Sequence, residues 1–212
     1  MTKFSEVKDT NTTQFTQAAA IYTESIPASE RQTIDTIKER ITSGKEKLYI
    51  GEKDGEVSMM ALLYPLEGTQ FVLLDYMAVK EAHRKHGVGS EFVKKINEIT
   101  GFKNKLFIIE VEDPKTGTAQ EQETRQRRVY FYRKNGAKIL KHVRYILPPL
   151  QGNTPTDMIL LVISQNNRLL WIAGDAIKEA VVQIYSELYG RGEADQLLAP
   201  AIESIQPQVT LQ

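Results

Sequence analysis

Residues 82–90, Ala-His-Arg-Lys-His-Gly-Val-Gly-Ser (AHRKHGVGS), place four potentially cationic side chains and two glycines in nine positions. An apolar run, TQFVLLDYMAV (69–79), precedes them, and VGSEFVKKINEITG (88–101) follows. The run suits a strand buried on both faces near the middle of a sheet. In the second segment Val88, Phe92, Ile96 and Ile99 share one helical face, and Gly101 supplies the stop. The expected order is thus a buried strand, a short basic glycine turn and a helix. The first N–H groups of a helix lack internal partners, and the helix dipole puts partial positive charge beside them. Glycines let a ligand approach the backbone, and Arg84 and Lys85 add charge, arginine being suited to bidentate phosphate contacts. Together these features describe a phosphate cradle. Neither Gly-x-x-x-x-Gly-Lys-[Ser/Thr] nor Gly-x-Gly-x-x-Gly is present; the pattern is Arg84-x-x-Gly87-x-Gly89.

Working outward, residues 11–26 and 29–43 carry helical spacing after polar caps. KLYIGEKDGEVSMMALLY (47–64) has Asp54-Gly55 between two strand-like runs, a hairpin signal because Asp-Gly accepts positive φ. KLFIIEVEDP (105–114) reads as a strand closed by Pro114. Residues 115–124 read as a loop entering a helix over 125–134, which Asn135-Gly136 breaks. AKILKHVRYIL (137–147) and TDMILLVI (156–163) read as two strands joined across PPLQGNTP (148–155). From Asp175, Ile177, Val181, Ile184 and Leu188 recur at helical spacing up to Gly190, and EADQLLAPAIESI (193–205) is a shorter helical stretch. Helices interleaved with strands in this order imply an α/β (α+β) fold with a mixed sheet.

Composition narrows the function. The 212-residue chain has 27 Lys plus Arg against 27 Asp plus Glu, so it shows no basic excess of the kind that nucleic-acid binders carry. It has no cysteine, which removes disulfides, thiolate metal sites and thiol nucleophiles. With only His83, His86 and His142, no metal is expected. No segment approaches the ~20 apolar residues of a membrane span, and the first residues lack a signal-peptide core, so a cytoplasmic protein is expected.

A second motif gives the first one its meaning. RRVYFYRKNGAKIL (127–140) sets Phe131-Tyr132 before Arg133-Lys134-Asn135-Gly136-Ala137, one strand and one helix after the glycine turn. Taken together, the two motifs resemble the signatures of the GNAT-type N-acetyltransferase superfamily. One is Gln/Arg-x-x-Gly-x-Gly/Ala between the fourth strand and the third helix. The other is a Phe-Tyr helix running into x-x-x-Gly-Phe/Ala. The resemblance covers roughly residues 3–165. It implies a mixed, mostly antiparallel central sheet flanked by helices over 1–165, with 166–212 as a C-terminal helical extension packed on that core.

The resemblance also implies an acyltransferase that moves an acetyl group from acetyl-CoA to a primary amine in a ternary complex, without a metal. In that family the fourth and fifth strands splay apart, and the pantetheine arm enters the gap. Backbone groups of Met77, Ala78 and Val79 would then pair with that arm. The pyrophosphate would rest on Arg84, Lys85, His86, Gly87, Val88, Gly89 and Ser90. Tyr132 would protonate the leaving thiolate. The proton acceptor stays open between Asp75, which interrupts an apolar strand, and Glu110; Glu112 is expected at an exposed strand end. The loop TESIPASERQ (23–32), with Glu24, Glu30 and Arg31, would face the acceptor. Arg125, Arg127 and Arg128 could reach phosphates, although a solvated helix face is expected for at least two of them. Trp171, in RLLWIAG (168–174), is expected to anchor the extension. The helix from Asp175 to Leu188 is expected to pack on the core; it could cap an open sheet edge, line the acceptor pocket, or pair with another subunit in a homodimer. Two other readings stay open: a non-catalytic acyl-CoA-binding module, and an interaction protein on the same scaffold.

Overall fold

The computed structural model describes residues 2–150, 154–166, 168–192 and 194–212. The chain divides into two compact units, 1–65 with 74–104, and 66–73 with 105–212.

The first unit opens with a strand absent from the sequence reading, β1 (Lys3–Val7). Helix α1 (Thr13–Ser25) starts where Thr12 accepts the Phe15 N–H, and α2 (Ile34–Thr42) starts where Thr33 accepts that of Thr36. Each cap satisfies one N–H that the helix leaves unpaired. Strands β2 (Lys47–Lys53) and β3 (Glu56–Pro65) form the expected hairpin, with Asp54 and Gly55 at φ 53° and 81°. That is the left-handed pair a two-residue turn requires. Strand β4 (Phe71–Val79) follows; its residues from Leu74 belong to this unit, and the strand order is β1-β2-β3-β4. Phe15, Ile21, Ile37, Leu48, Met60 and Leu62 are among the side chains that bury α1 and α2 against the sheet. The helix expected over 88–101 is two helices, α3 (Val88–Lys94) and α4 (Ile96–Thr100), which meet at Lys95.

In the second unit β4 pairs in parallel with β5 (Leu106–Glu112) over Phe71–Leu73 against Leu106–Ile108. Helix α5 (Ala119–Lys134) begins six residues before the expected helix. The signal was a capping box: Thr118 accepts the Glu121 N–H while Glu121 accepts that of Thr118. The single strand expected over 137–147 is instead β6 (Lys138–Ile139) and β7 (Tyr145–Leu147), with His142 at φ 61° between them. Both pair antiparallel with β8 (Thr156–Ile163), and β8 pairs antiparallel with β5. Of the expected connection 148–155, residues 151–153 lie outside the described residues.

Strand β9 (Trp171–Ala173) leads into α6 (Gly174–Gln183), which continues as a π-helical turn, Ile184–Leu188. Ile177, Val181, Ile184 and Leu188 are all buried, as their spacing predicts. The second C-terminal helix is shorter than expected, α7 (Leu198–Ser204), and Glu193 of the expected stretch lies outside the described residues. Strand β10 (Gln208–Thr210) then closes a two-stranded sheet on β9. Trp171 is not the anchor expected: it is 51% exposed, and its neighbour Ile172 is the buried one. The sheet is mixed and mostly antiparallel, with one parallel pair, as expected. Among the described residues no helix is long and apolar enough to cross a membrane.

Candidate active site

The glycine turn lies in the first unit, between β4 and α3. A single 3₁₀ turn, Glu81–His83, leaves β4; Lys85 and Gly87 then take φ 68° and 84°. Two left-handed residues reverse the chain, and Gly87 becomes the N-cap of α3. A Cβ at Gly87 would meet nothing within 4 Å, so space lies open beside that backbone. Hydrogen bonding inside α3 starts at the Glu91 N–H, which donates to Gly87 O at 2.9 Å. Lys85 and His86 are exposed, Val88 and Gly89 are buried, and Ser90 is half-buried. Open space, an exposed lysine and a helix start together fit a phosphate group.

Arg84 is partly engaged elsewhere. Its Nε donates to Val79 O at 3.1 Å and its Nη2 to Ser25 Oγ at 3.5 Å, so it ties the turn back to β4 and α1. His83 faces the Glu56 carboxylate at 3.3 Å, which Lys80 also contacts. Met77, Ala78 and Val79 lie on β4 beyond the three residues paired with β5, and Ala78 is buried.

Asp75, also on β4, faces a partner with no sequence signal: Glu46, immediately before β2 and 1% exposed. Both Glu46 oxygens and Asp75 Oδ2 are buried without a hydrogen-bond partner among the described residues, and Arg40 of α2 is nearby. Burial first, then the facing Glu46 charge, raises Asp75 well above the ordinary carboxylate range; burial raises Glu46 as well. Tyr22 and Tyr76 stand beside Asp75 with ring centroids 4.9 Å apart, edge to face. Their hydroxyls donate to Gln32 O at 3.2 Å and Glu30 O at 2.9 Å, both in the loop expected to face the acceptor. Of the side chains named in that loop, Arg31 donates to Thr23 O at 2.6 Å and Glu24 is exposed.

In the second unit α5 holds Tyr132, half-buried and packed edge to face on Phe131 at 5.2 Å. Burial pushes its hydroxyl up to about 12; Arg128 pulls it down and Glu112 pushes it further up. Glu112 is not the exposed strand end expected: it is 8% exposed, and both its oxygens meet the Arg128 guanidinium. A carboxylate there needs that partner, because a buried charge is tolerated only when paired. The three arginines divide differently from the expectation. Only Arg127, paired with Glu123 at 3.3 Å, lies on a solvated face, whereas Arg125 holds Thr116 O and Oγ1, each at 2.7 Å.

Glu110 of β5 is half-buried and accepts the Tyr189 hydroxyl at 2.7 Å. Tyr145 and Tyr185 stack edge to face beside it, and Tyr185 donates to Ile146 O. Tyr185 comes from the π-helical turn and Tyr189 from the residue after it, so the C-terminal segment supplies a direct contact to an expected site residue. The wide turn had no signal in the repeat of apolar positions. Among the described residues no group of three His, Asp or Glu side chains is placed to hold a metal ion.

Residues 44–136, which span the glycine turn and Tyr132, match the family model described as an acetyltransferase (GNAT) domain. No curated protein matches the chain. Among solved structures, a GNAT-family protein from Bacteroides thetaiotaomicron superposes with TM-score 0.72 at 19% identity, covering 89% of this chain and 98% of its own. A GNAT family acetyltransferase from Elizabethkingia anophelis with acetyl-CoA bound gives 0.51 at 18% identity, covering 77% and 97%. An aminoglycoside 6′-N-acetyltransferase complexed with coenzyme A gives 0.57 at 18%, covering 76% and 96%. At these identities the likeness is one of fold. Coverage of 89% cannot be reached without part of 166–212, so the first of these structures shares part of the C-terminal segment.

Proposed function

We propose, for a chain that carries an acetyltransferase (GNAT) domain over residues 44–136, that it transfers an acetyl group from acetyl-CoA to a primary amine by direct attack. One observation carries the reading: inside the matched region, Arg84-x-x-Gly87-x-Gly89 folds as a left-handed turn that opens α3 and leaves space at Gly87. When bound, acetyl-CoA supplies the acyl thioester and the thiol leaving group. The backbone N–H groups from Lys85 to Ser90 would hold its pyrophosphate, and backbone groups of Met77, Ala78 and Val79 would align its pantetheine arm. Tyr132, with its hydroxyl pushed up to about 12, stays protonated at neutral pH and would give that proton to the departing sulfur. A positioned acid of this kind contributes ~10²–10⁴-fold. Two of the neighbours are described with acetyl-CoA or coenzyme A, and one acts as an aminoglycoside N-acetyltransferase, which supports an amine acceptor of this class.

Calorimetric titration with acetyl-CoA tests the reading. Wild type should bind saturably, Gly87→Glu should not, and both should show the same folded far-UV spectrum. Tyr132→Phe should bind as wild type does and turn over more slowly with an amine from a screened panel. Absence of binding by folded wild type would overturn the proposal.

A further inference from the structure

Tyr189 lies outside the matched region 44–136 and outside both sequence motifs, and the chemistry above does not use it. We propose that Tyr189 is a positioning residue for acetyl transfer: its hydroxyl holds the Glu110 carboxylate ionised and oriented as the group that takes the proton lost by the acceptor ammonium. This rests on the N-acetyltransferase reading and chooses Glu110 over Asp75 as the proton acceptor.

The contact is direct: Tyr189 Oη donates to Glu110 Oε2 at 2.7 Å. A hydrogen bond to an ionised oxygen is among the stronger ones, and it fixes the direction of the carboxylate. Tyr189 is itself held. A π turn is wider than an α turn, and the one over Ile184–Leu188 brings Tyr185 and Tyr189 edge to face at 6.0 Å. Tyr185 packs on Tyr145 of β7 at 5.7 Å and donates to Ile146 O, which ties the aromatic row to β7. Glu110 lies two residues past Ile108, where the parallel pairing with β4 ends, and Leu160 of β8 stands opposite it. The residue is half-buried, so solvent still reaches it. By two-residue alternation it shares a face of β5 with Glu112, whose partner Arg128 stands one helical turn before Tyr132 on α5. Glu110 and the proposed acid therefore lie on the same side of that strand.

An alkyl ammonium has a pKa of ~10.4 and cannot attack until it loses a proton. A carboxylate can take that proton only while ionised; burial favours its neutral form, and a donated hydroxyl favours the ionised one. Glu110 accepts one N–H proton. The freed nitrogen lone pair forms the C–N bond, the C–S bond breaks, and its electron pair leaves on sulfur. Sulfur takes the Tyr132 proton, and the second N–H proton, lost after the C–N bond forms, replaces it. Glu110 then releases its proton to water, so one proton is released per turnover. Facing Glu110 besides Tyr189 are Tyr145 of β7 and Tyr185 of the π turn, with the Arg191–Asp195 pair (3.2 Å) behind Tyr185 and the Glu112–Arg128 pair two residues along β5. Burial, then the Glu110 charge, raises both of those phenols above the ordinary tyrosine range, so neither ionises at neutral pH.

The test uses the full-length protein as wild type, Tyr189→Phe, Glu110→Gln and the double variant, and reads the pH profile of kcat for acetyl transfer to a screened amine. Removing a donor from an ionised carboxylate raises its proton affinity, so Tyr189→Phe should move the acidic limb up by about one pH unit. Loss of orientation should also lower the plateau about tenfold, with acetyl-CoA affinity unchanged. In the Glu110→Gln background the same change should add less than about twofold, because its effect passes through Glu110. Tyr189→3-fluorotyrosine keeps the hydroxyl and makes it a stronger donor, so it should move the limb down; it decides the matter if Tyr189→Phe does not fold. An unmoved limb in the position-189 variants, full activity in Glu110→Gln, or an undiminished effect on top of Glu110→Gln each overturns the proposal. If wild type transfers acetyl to no amine, the N-acetyltransferase reading fails and this proposal fails with it. Transfer with an unmoved limb sinks this proposal alone.

Discussion

Replacing Arg128 by methionine keeps most of the side-chain volume and removes the charge that Glu112 depends on. The Glu112 side chain is 10% exposed and that of Arg128 is 41% exposed, and the guanidinium meets both carboxylate oxygens. Removing one member of a buried ion pair costs ~3–5 kcal/mol, because the remaining charge stays buried without compensation. Water already reaches Arg128 and can replace part of the contact, so the expected loss lies lower, at ~2–3 kcal/mol. For a chain of this size that corresponds to roughly 4–12 °C in Tm. Urea unfolding at pH 7, followed by circular dichroism, gives the number. Glu112→Leu combined with Arg128→Met should return close to wild type, since replacing both partners by apolar groups is often neutral. A loss below ~1 kcal/mol in Arg128→Met, or a double variant as unstable as the single one, would refute the view that Glu112 is held by its partner. The pair also bears on the proposed acid. Arg128 holds Tyr132 down and Glu112 holds it up, so Arg128→Met should make the hydroxyl a weaker donor and Glu112→Gln a stronger one.

Three further outcomes follow from the same structure. Gly174→Ala should destabilise the C-terminal segment, because a Cβ there would sit 2.0 Å from Gln206 O, and faster hydrogen exchange over 171–188 reports it. Tyr189→Phe removes the hydroxyl that Glu110 accepts at 2.7 Å and should cost ~1–2 kcal/mol in urea unfolding, with acetyl-CoA affinity unchanged by calorimetry. Asp75 is raised in the folded state, so above its unfolded value of ~3.9 the native protein holds a proton that the unfolded chain releases. Stability should therefore fall as pH rises from ~4 toward the raised value, with a slope of at most ~1.4 kcal/mol per pH unit for one proton. Urea titrations at several pH values should show a shallower slope in Glu46→Gln.

Local rules made most of the first unit legible. The Asp54-Gly55 turn needs a backbone that few residue pairs adopt readily, so two residues announced the hairpin. β1 escaped because KFSEV alternates only weakly and earns its place by pairing with β2, a long-range fact that periodicity does not carry. The early start of α5 escaped for a different reason. Over 119–134 only Val129 is buried, so the helix has almost no apolar stripe, and the Thr118–Glu121 box was its real signal. The break between β6 and β7 rests on His142 adopting a left-handed backbone, which histidine favours more than most residues but too weakly to mark the break in sequence.

The site divides along the same line. Backbone-driven features were readable: a turn that must go left-handed leaves glycine at Gly87, and a phosphate cradle is made of amide groups and space, which need few particular side chains. Partnerships between side chains were not, because they depend on which strands lie side by side. Asp75 stood out as a charge in an apolar run, but nothing in KEKLYI marks Glu46 as the carboxyl that would meet it. Glu112 looked like a solvated end because its partner comes from α5, sixteen residues later. A buried ionisable residue seen in sequence therefore predicts that a partner exists, and the fold alone says which one. For this chain that choice bears on the chemistry, since burial first and then the facing Glu46 charge raise Asp75 well above the ordinary carboxylate range, while Arg40 pulls it down.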